Sequence, residues 1–275
     1  MEHPSHLLQQ LQHGHARKRF GQHFLASEGV LRKIVAAAGV GPGDKVVEIG
    51  PGLGALTECL LESGCEVLAV ELDRDLAEFL RERLGDRPGF SLIEQDAMTV
   101  DWAEALPGEG WSCVANLPYN VGTPLVTGLL KHPGRVRQLV VMLQKEVAER
   151  MVAPAGHRKR GSLSVYCESR APGKVVVKVP PGAFVPPPKV ASAVIQLTLR
   201  DAPETGGVAP GAFEEVVQAA FKGPRKTLRR TLGDAYGKPR AMAAFEAAGV
   251  DGGARPATLE LAAWGRLAHA LVGPG

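Results

Sequence analysis

The chain has 275 residues, 45% of them hydrophobic, four cysteines and a formal net charge of +3. That is long enough to bury a core in one large domain plus a small one, and a charge this small does not by itself argue for a nucleic-acid partner, so what matters is whether the cations cluster. No apolar run approaches the roughly 18 to 20 residues that span a bilayer and the N-terminus is polar rather than a charged-then-apolar leader, so a soluble, cytoplasmic protein is expected.

Residues 1–16 are rich in Gln and His without apolar periodicity, and a flexible arm is expected there rather than a metal site at His3, His6, His13 and His15. Three cations follow, Arg17, Lys18 and Arg19, then the aromatic-rich stretch Phe20-Gly21-Gln22-His23-Phe24-Leu25. Ser27 is placed to cap a helix through Val30, Leu31, Ile34 and Val35. The stretch 45–57 then organises the rest: Val46, Val47 and Ile49 form a short apolar run that breaks into Gly50, Gly52 and Gly54, after which Ala55, Leu56 and Leu60 resume at helical spacing. Glycines at alternate positions let the backbone come close to a ligand, because a Cβ there would occupy the ligand's space. Glu71 closes the next apolar run, Val67-Leu68-Ala69-Val70, where an acid can bind both ribose hydroxyls of an adenosine. This pairing suits a nicotinamide dinucleotide or S-adenosylmethionine equally.

Strand and helix alternate onward: strand 66–71, helix 73–84 with Asp73 as cap, strands 90–94 and 111–115, helix 123–131, strand 136–142 and a helix from Gln144. Such alternation implies a parallel sheet with helices on both faces, with ligands at the carboxyl ends of the strands. Gly50, Glu71, Asp96 and Asn116 all fall at that edge. Two β-rich runs, 174–179 and 190–199, are joined by a proline-heavy segment and suit an antiparallel pair closing the sheet. Residues 201–211, rich in Gly, Pro and acids, read as a linker, and from 212 onward only helices are expected, at 212–222, 224–233, 239–248 and 257–272. The expected architecture is α/β: a Rossmann-like domain over 17–200 with a mostly parallel seven-stranded sheet, and an all-helical domain over 212–275. The cysteines, Cys59, Cys65, Cys113 and Cys167, form no Cys-x-x-Cys pair and lie in apolar segments, so free thiols are expected rather than zinc or disulfides.

Asn116-Leu117-Pro118-Tyr119 follows a strand directly, and its residue types suit one demanding task. An adenine amine is a poor nucleophile because its lone pair is delocalised into the ring. The Asn116 side-chain oxygen and the Leu117 carbonyl can accept its two protons, Pro118 stiffens the turn, and Tyr119 offers a face on which an extruded base can stack. The reaction would be direct displacement at a sulfonium methyl, aided mainly by alignment and fixed dipoles, with no metal required. A nicotinamide dehydrogenase shares the glycine cradle but leaves this tetrapeptide unexplained.

With those residues in view, the chain from about residue 17 to its C-terminus resembles the small-subunit (16S) ribosomal RNA adenine N6,N6-dimethyltransferases, the KsgA/RsmA family. The resemblance rests on Gly-Gln-His-Phe-Leu at 21–25, Glu-Ile-Gly-Pro-Gly-Leu-Gly at 48–54, Glu-Leu-Asp at 71–73, Gln-Asp-Ala at 95–97 and Asn-Leu-Pro-Tyr at 116–119. Phe184, Pro186, Pro188, Val190 and Ser192, and Arg-Lys-Thr-Leu at 225–228, extend it. It implies a class I methyltransferase fold and S-adenosylmethionine held by His23, Leu25, Gly50, Gly52, Glu71, Asp96 and Asn116. It also implies a target adenine sandwiched by Tyr119 and Phe184, and dimethylation of two adjacent adenosines in a hairpin loop near the 3′ end of 16S rRNA within an immature 30S subunit. Pro224 and Arg230 depart from the family, which usually carries Arg and Asn there. A large-subunit rRNA adenine methyltransferase of the macrolide-resistance type shares the cradle and the tetrapeptide-like motif. The proline-rich run and the long helical tail favour the small-subunit type. A pure RNA-binding assembly factor that keeps the fold is a third reading.

The cations cluster at Arg17, Lys18 and Arg19, at Arg158, Lys159 and Arg160, and at Lys222, Arg225, Lys226 and Arg229. In the last cluster Pro224 can start a helix that stacks Arg225 on Arg229 and Lys226 on Arg230. Together with an adenine pocket, the three clusters are expected to contact RNA phosphates. A monomer is the simplest assembly.

Overall fold

A computed structural model describes Leu7 and residues 23–275. The arm and the Arg17, Lys18 and Arg19 cluster therefore lie outside the described residues, apart from Leu7. The chain divides into two units, one comprising residues 1–148 and 174–199 and the other residues 149–173 and 200–275.

The first unit is built on a seven-stranded sheet in the order β4-β3-β2-β5-β6-β9-β7, formed by β2 (Lys45–Ile49), β3 (Glu66–Glu71), β4 (Phe90–Glu94), β5 (Trp111–Asn116), β6 (Val136–Gln144), β7 (Gly173–Val179) and β9 (Ser192–Thr198). The strands β4, β3, β2, β5 and β6 are mutually parallel, and β9 runs antiparallel to β6. The central strands are mostly apolar because both sheet faces are covered: Val46, Val47, Val114, Val140 and Met142 have essentially no exposure. Helices α1 (Glu28–Ala38), α2 (Ala55–Glu62), α3 (Arg74–Leu84), α4 (Trp102–Ala105), α5 (Gly122–Leu129) and α6 (Lys145–Met151) follow the strands. Strand order reverses at β2, so β3 and β5 flank it on opposite sides and leave a crevice at their carboxyl ends. The α3 start shows how local chemistry fixes a boundary: Asp73 has extended backbone and its carboxylate accepts the Asp75 amide, so the helix begins one residue later.

A second, two-stranded sheet pairs β1 (Phe24–Leu25) antiparallel with β8 (Phe184–Val185), matching Phe24 to Val185 and Leu25 to Phe184. It ties the stretch ahead of α1 to the proline-rich segment.

The second unit contains α7 (Ser162–Arg170), α8 (Pro210–Phe221), α9 (Leu228–Tyr236), α10 (Lys238–Ala248) and α11 (Leu261–Val272). They close around Phe213, Val216, Leu228, Leu232, Phe245, Trp264 and Leu271. Two expected boundaries need correction. Val165 and Val208 belong to this same core, so residues 149–173 fold with the C-terminal helices, and the expected linker at 201–211 is packed structure. Thr205, buried, donates to the Val208 carbonyl and helps hold it there. The expected helix at 224–233 instead begins at Leu228, because the Lys226 amide bonds the Gly223 carbonyl and closes a turn with Pro224 in its second position, the one proline favours. Arg225 and Lys226 therefore precede the helix and are not stacked on Arg229 and Arg230.

Candidate active site

At the end of β2 the backbone enters the left-handed region at Gly50, Gly52 and Gly54, with φ of 67°, 60° and 82°. A Cβ on Gly52 would lie 3.0 Å from the Phe24 ring, one on Gly54 3.0 Å from Leu80, and one on Gly50 3.7 Å from the Pro118 ring. The turn thus runs close beneath β1 at Gly52, at a separation and backbone angle that favour glycine, and lies in ordinary contact with the Asn-Leu-Pro-Tyr turn at Gly50.

Glu71, at the end of β3, fastens this turn. Its Oε2 accepts the Gly52 amide at 3.2 Å, and Oε1 accepts the Leu72 and Asp73 amides at 3.0 and 2.9 Å. Burial pushes its pKa up to about 7, while the three N–H groups pull the other way. A carboxylate offers about four acceptor positions, so Glu71 keeps acceptor capacity at the cavity beyond these three amides. Beyond β4, the Asp96 carboxylate accepts the Met98 amide at 2.9 Å, which holds residues 96–98 in a tight turn.

The tetrapeptide is held from several sides. Leu117 is buried and donates its amide to the Met142 carbonyl of β6, and the Val121 amide closes back onto Pro118. Asn116 donates from Nδ2 to the His23 carbonyl at 3.2 Å. Since a carbonyl only accepts, the amide nitrogen must face His23, and Oδ1 is left as an acceptor on the other side. The His23 ring stacks against Tyr119 with centroids 5.8 Å apart, and its Nδ1 lies 2.8 Å from the Pro186 carbonyl. Tyr119 in turn shares a 2.6 Å hydrogen bond with Ser192.

These residues surround one cavity of about 300 Å³. His23, Leu25, Gly50, Gly52, Glu71, Asp96, Asn116, Leu117, Pro118 and Tyr119 all line it, so the structure brings together at one place every expected cofactor and catalytic position. Phe184 is the exception. It is 3% exposed, packs in the apolar cluster with Leu25, Leu31 and Ile34, and does not line the cavity. Its pairing with Leu25 places it in the core, and the ring that faces Tyr119 is His23.

The sequence reading gave no role to Glu48, which lines the cavity although fully buried and accepts a 2.7 Å bond from Thr57 Oγ1. Burial, partly offset by Thr57 and reinforced by Glu71, raises its pKa to about 8. The signal was present as an acid interrupting the apolar run Val46-Val47-Glu48-Ile49.

The expected RNA-contacting cations divide. Arg158, Lys222, Arg225, Lys226 and Arg229 are exposed, whereas Lys159 is ion-paired with Glu149. Arg160 is 4% exposed, donates to the Ala153 and Leu259 carbonyls at 3.0 and 3.1 Å, and pairs with Glu168 at 2.6 Å. It is a structural strut of the helical unit and is withdrawn from the RNA-contacting set. Among the described residues no group of three or more His, Cys, Asp or Glu side chains is arranged to hold a metal, and no helix is long and apolar enough to cross a membrane.

Residues 14–271 match the family model described as ribosomal RNA adenine dimethylase. Curated relatives include "Ribosomal RNA small subunit methyltransferase A" of Pseudomonas putida, 44% identical over 265 residues covering 96% of this chain and 97% of the relative. The protein of the same name from Anaeromyxobacter sp. strain K is 45% identical, with 93% of each chain covered. Among solved structures, a dimethyladenosine transferase from Plasmodium falciparum superposes with TM-score 0.78 at 25% identity, covering 89% of this chain and 96% of that one. The 23S rRNA methyltransferase ErmE superposes with TM-score 0.73 at 30% identity, covering 90% and 99%.

Proposed function

Because this chain belongs to the ribosomal RNA adenine dimethylase family, we propose that it dimethylates N6 of two adjacent adenosines in the 3′-terminal hairpin loop of 16S rRNA, using S-adenosylmethionine. It acts in the cytoplasm, as a monomer, on an immature small subunit. The observation that carries this reading is the orientation of Asn116: with Nδ2 committed to the His23 carbonyl, Oδ1 is an acceptor fixed at the cavity before any substrate arrives. A fixed acceptor needs no reorganisation during reaction, which is where preorganised polar groups gain most.

The residues present fit the donor. Gly50 and Gly52 line the cavity with left-handed backbone that leaves no side chain in a ligand's way, and the buried Glu71 keeps an acceptor position for a ribose hydroxyl. When bound, S-adenosylmethionine supplies an electrophilic methyl on sulfur. Asn116 Oδ1 and the Leu117 carbonyl accept the two N–H groups of the target amine and favour a more tetrahedral nitrogen whose lone pair is available. Tyr119 stacks the extruded base, a contact worth roughly 1 to 3 kcal/mol, and Asp96 receives the cofactor's adenine amine. Holding both reactants in line lowers the barrier by removing translational and rotational freedom in advance.

Identity of 44–45% over nearly the full length of relatives named for the small subunit supports that substrate over the large-subunit one, for which the ErmE likeness is 30%. The deciding experiment supplies labelled S-adenosylmethionine to unmethylated small and large subunits and maps the modified bases by mass. N6,N6-dimethyladenine in small-subunit RNA is expected; label confined to the large subunit would overturn the assignment.

A further inference from the structure

We infer that Ser192 is a positioning residue for methyl transfer, acting through Tyr119. The inference rests on the reading of Tyr119 as the platform for the target base. Ser192 opens β9, has no solvent exposure, and is seated opposite Gln144 in the ladder with β6. Next to it, the Ala191 carbonyl accepts the Lys145 amide at 2.9 Å, so the strand start is held by two consecutive residues at the end of β6. From this rigid position its hydroxyl meets the Tyr119 hydroxyl at 2.6 Å.

Geometry makes that bond consequential. A tyrosine ring turns about two side-chain torsions, and the torsion that carries the ring plane is soft. Tyr119 sits in a turn rather than a strand, and its ring is only half enclosed. A hydrogen bond at the far end of the ring, 73 residues away in sequence and made to the sheet itself, fixes its orientation. His23 stacks from one side, so the anchored ring presents its remaining face in a constant plane. A base stacked there keeps its amine in line with Asn116 Oδ1; a ring free to tilt would carry the amine out of line while still binding the base. The burial of the tyrosine hydroxyl, which raises its pKa, keeps it neutral and able to share the bond.

The test compares Ser192→Ala, Tyr119→Phe, the double variant and Tyr119→Ala in the full chain, with S-adenosylmethionine and unmethylated small subunits. Both single conservative variants remove the same bond from opposite ends. Each is expected to lower kcat about tenfold, the equivalent of one hydrogen bond of about 1.4 kcal/mol, with KM for the particle and cofactor affinity within about twofold. The double variant should be no slower than either single one. Should Ser192→Ala fail to fold, Tyr119→Phe alone carries the test, since it leaves the buried serine in place. Full kcat in Tyr119→Phe overturns the inference, and so does a rate loss in Ser192→Ala that disappears below its own melting transition. If Tyr119→Ala abolishes turnover while the two conservative variants keep it, the platform reading stands and the role of Ser192 is refuted. If Tyr119→Ala itself leaves turnover intact, the platform reading fails, and the inference with it.

Discussion

Thr57 Oγ1 donates to Glu48 Oε2 across 2.7 Å, with both side chains shut off from solvent and Glu48 at the wall of the cavity. An acid here is costly unless protonated or paired, and burial holds its pKa at about 8. The sign follows directly. Below about pH 4.5, the ordinary value, the carboxyl is protonated in folded and unfolded chains alike and its contribution is fully present. As pH rises toward about 8 the unfolded chain has released the proton while the folded one retains it, and stability falls by about 1.4 kcal/mol per pH unit. Denaturant unfolding at pH 5 and pH 8 should therefore show a larger loss for the native chain than for Glu48→Gln. Glu71, raised to about 7, contributes in both over the lower part of that window. Equal losses in the two chains would show that Glu48 is ionised in the folded state.

The same group predicts a proton linkage in cofactor binding. A sulfonium and an ammonium brought near Glu48 and Glu71 favour their ionised forms. Calorimetry of S-adenosylmethionine binding at pH 7, in buffers of different ionisation enthalpy, should register proton release by the native protein. The release should shrink in Glu48→Gln. Identical heats in all buffers would remove this linkage.

Asn116→Ala removes the fixed acceptor together with the Nδ2 bond to the His23 carbonyl, and leaves the glycine turn and Glu71 in place. By analogy with deletion of a preorganised polar group that acts in the transition state, a loss of about 100- to 1000-fold in kcat is expected. Cofactor affinity, measured by equilibrium binding, should change far less. Asn116→Asp is informative in another way: a carboxylate oxygen would replace Nδ2 opposite the His23 carbonyl, two acceptors with no proton between them. That variant should loosen residues 23–25, read as faster hydrogen exchange there.

Gly52 tests the cradle. Alanine must adopt a φ of 60° and place its Cβ 3.0 Å from the Phe24 ring. The left-handed backbone alone costs about 1–2 kcal/mol. Gly52→Ala should lower the thermal midpoint and weaken S-adenosylmethionine binding at least tenfold, since Phe24 or the turn must shift. Gly29→Ala, where nothing lies within 4 Å of the new Cβ, is the control.

Much of this site was legible in the sequence because its signals are local. Alternating glycines after an apolar run, an acid closing the next strand, and Asn-Leu-Pro-Tyr after a fourth each announce themselves within a few residues, and the parallel sheet then places them at one edge. What escaped depends on distant pairing. The strands β1 and β8 have two residues each and lie about 160 positions apart, too short for any periodicity, yet their register buries Phe184 and brings His23 to Tyr119. The Ser192 hydroxyl bond has the same character. Pro224 read equally well as a helix start and as the second position of a turn, and only the Gly223 carbonyl's bond to Lys226 chose between them.

Arg160 separates fold from RNA contact most sharply, because a charged residue in a basic loop turned out to be buried. Arg160→Ala would leave the Ala153 and Leu259 carbonyls and the Glu168 carboxylate without their shared donor, and should cost about 3 kcal/mol of stability. Arg158 and Arg225 are exposed, and their alanine variants should stay within about 0.5 kcal/mol of the native chain. In RNA binding the order inverts. Plotted as log affinity against log salt, binding of native protein to small-subunit RNA should fall steeply, and each of Arg158→Ala and Arg225→Ala should reduce that slope by about 1 as one phosphate contact is lost. Arg160→Ala, assayed at a temperature where it remains folded, should keep the native slope. A reduced slope for Arg160→Ala alone would mean that this guanidinium leaves its partners to meet the RNA.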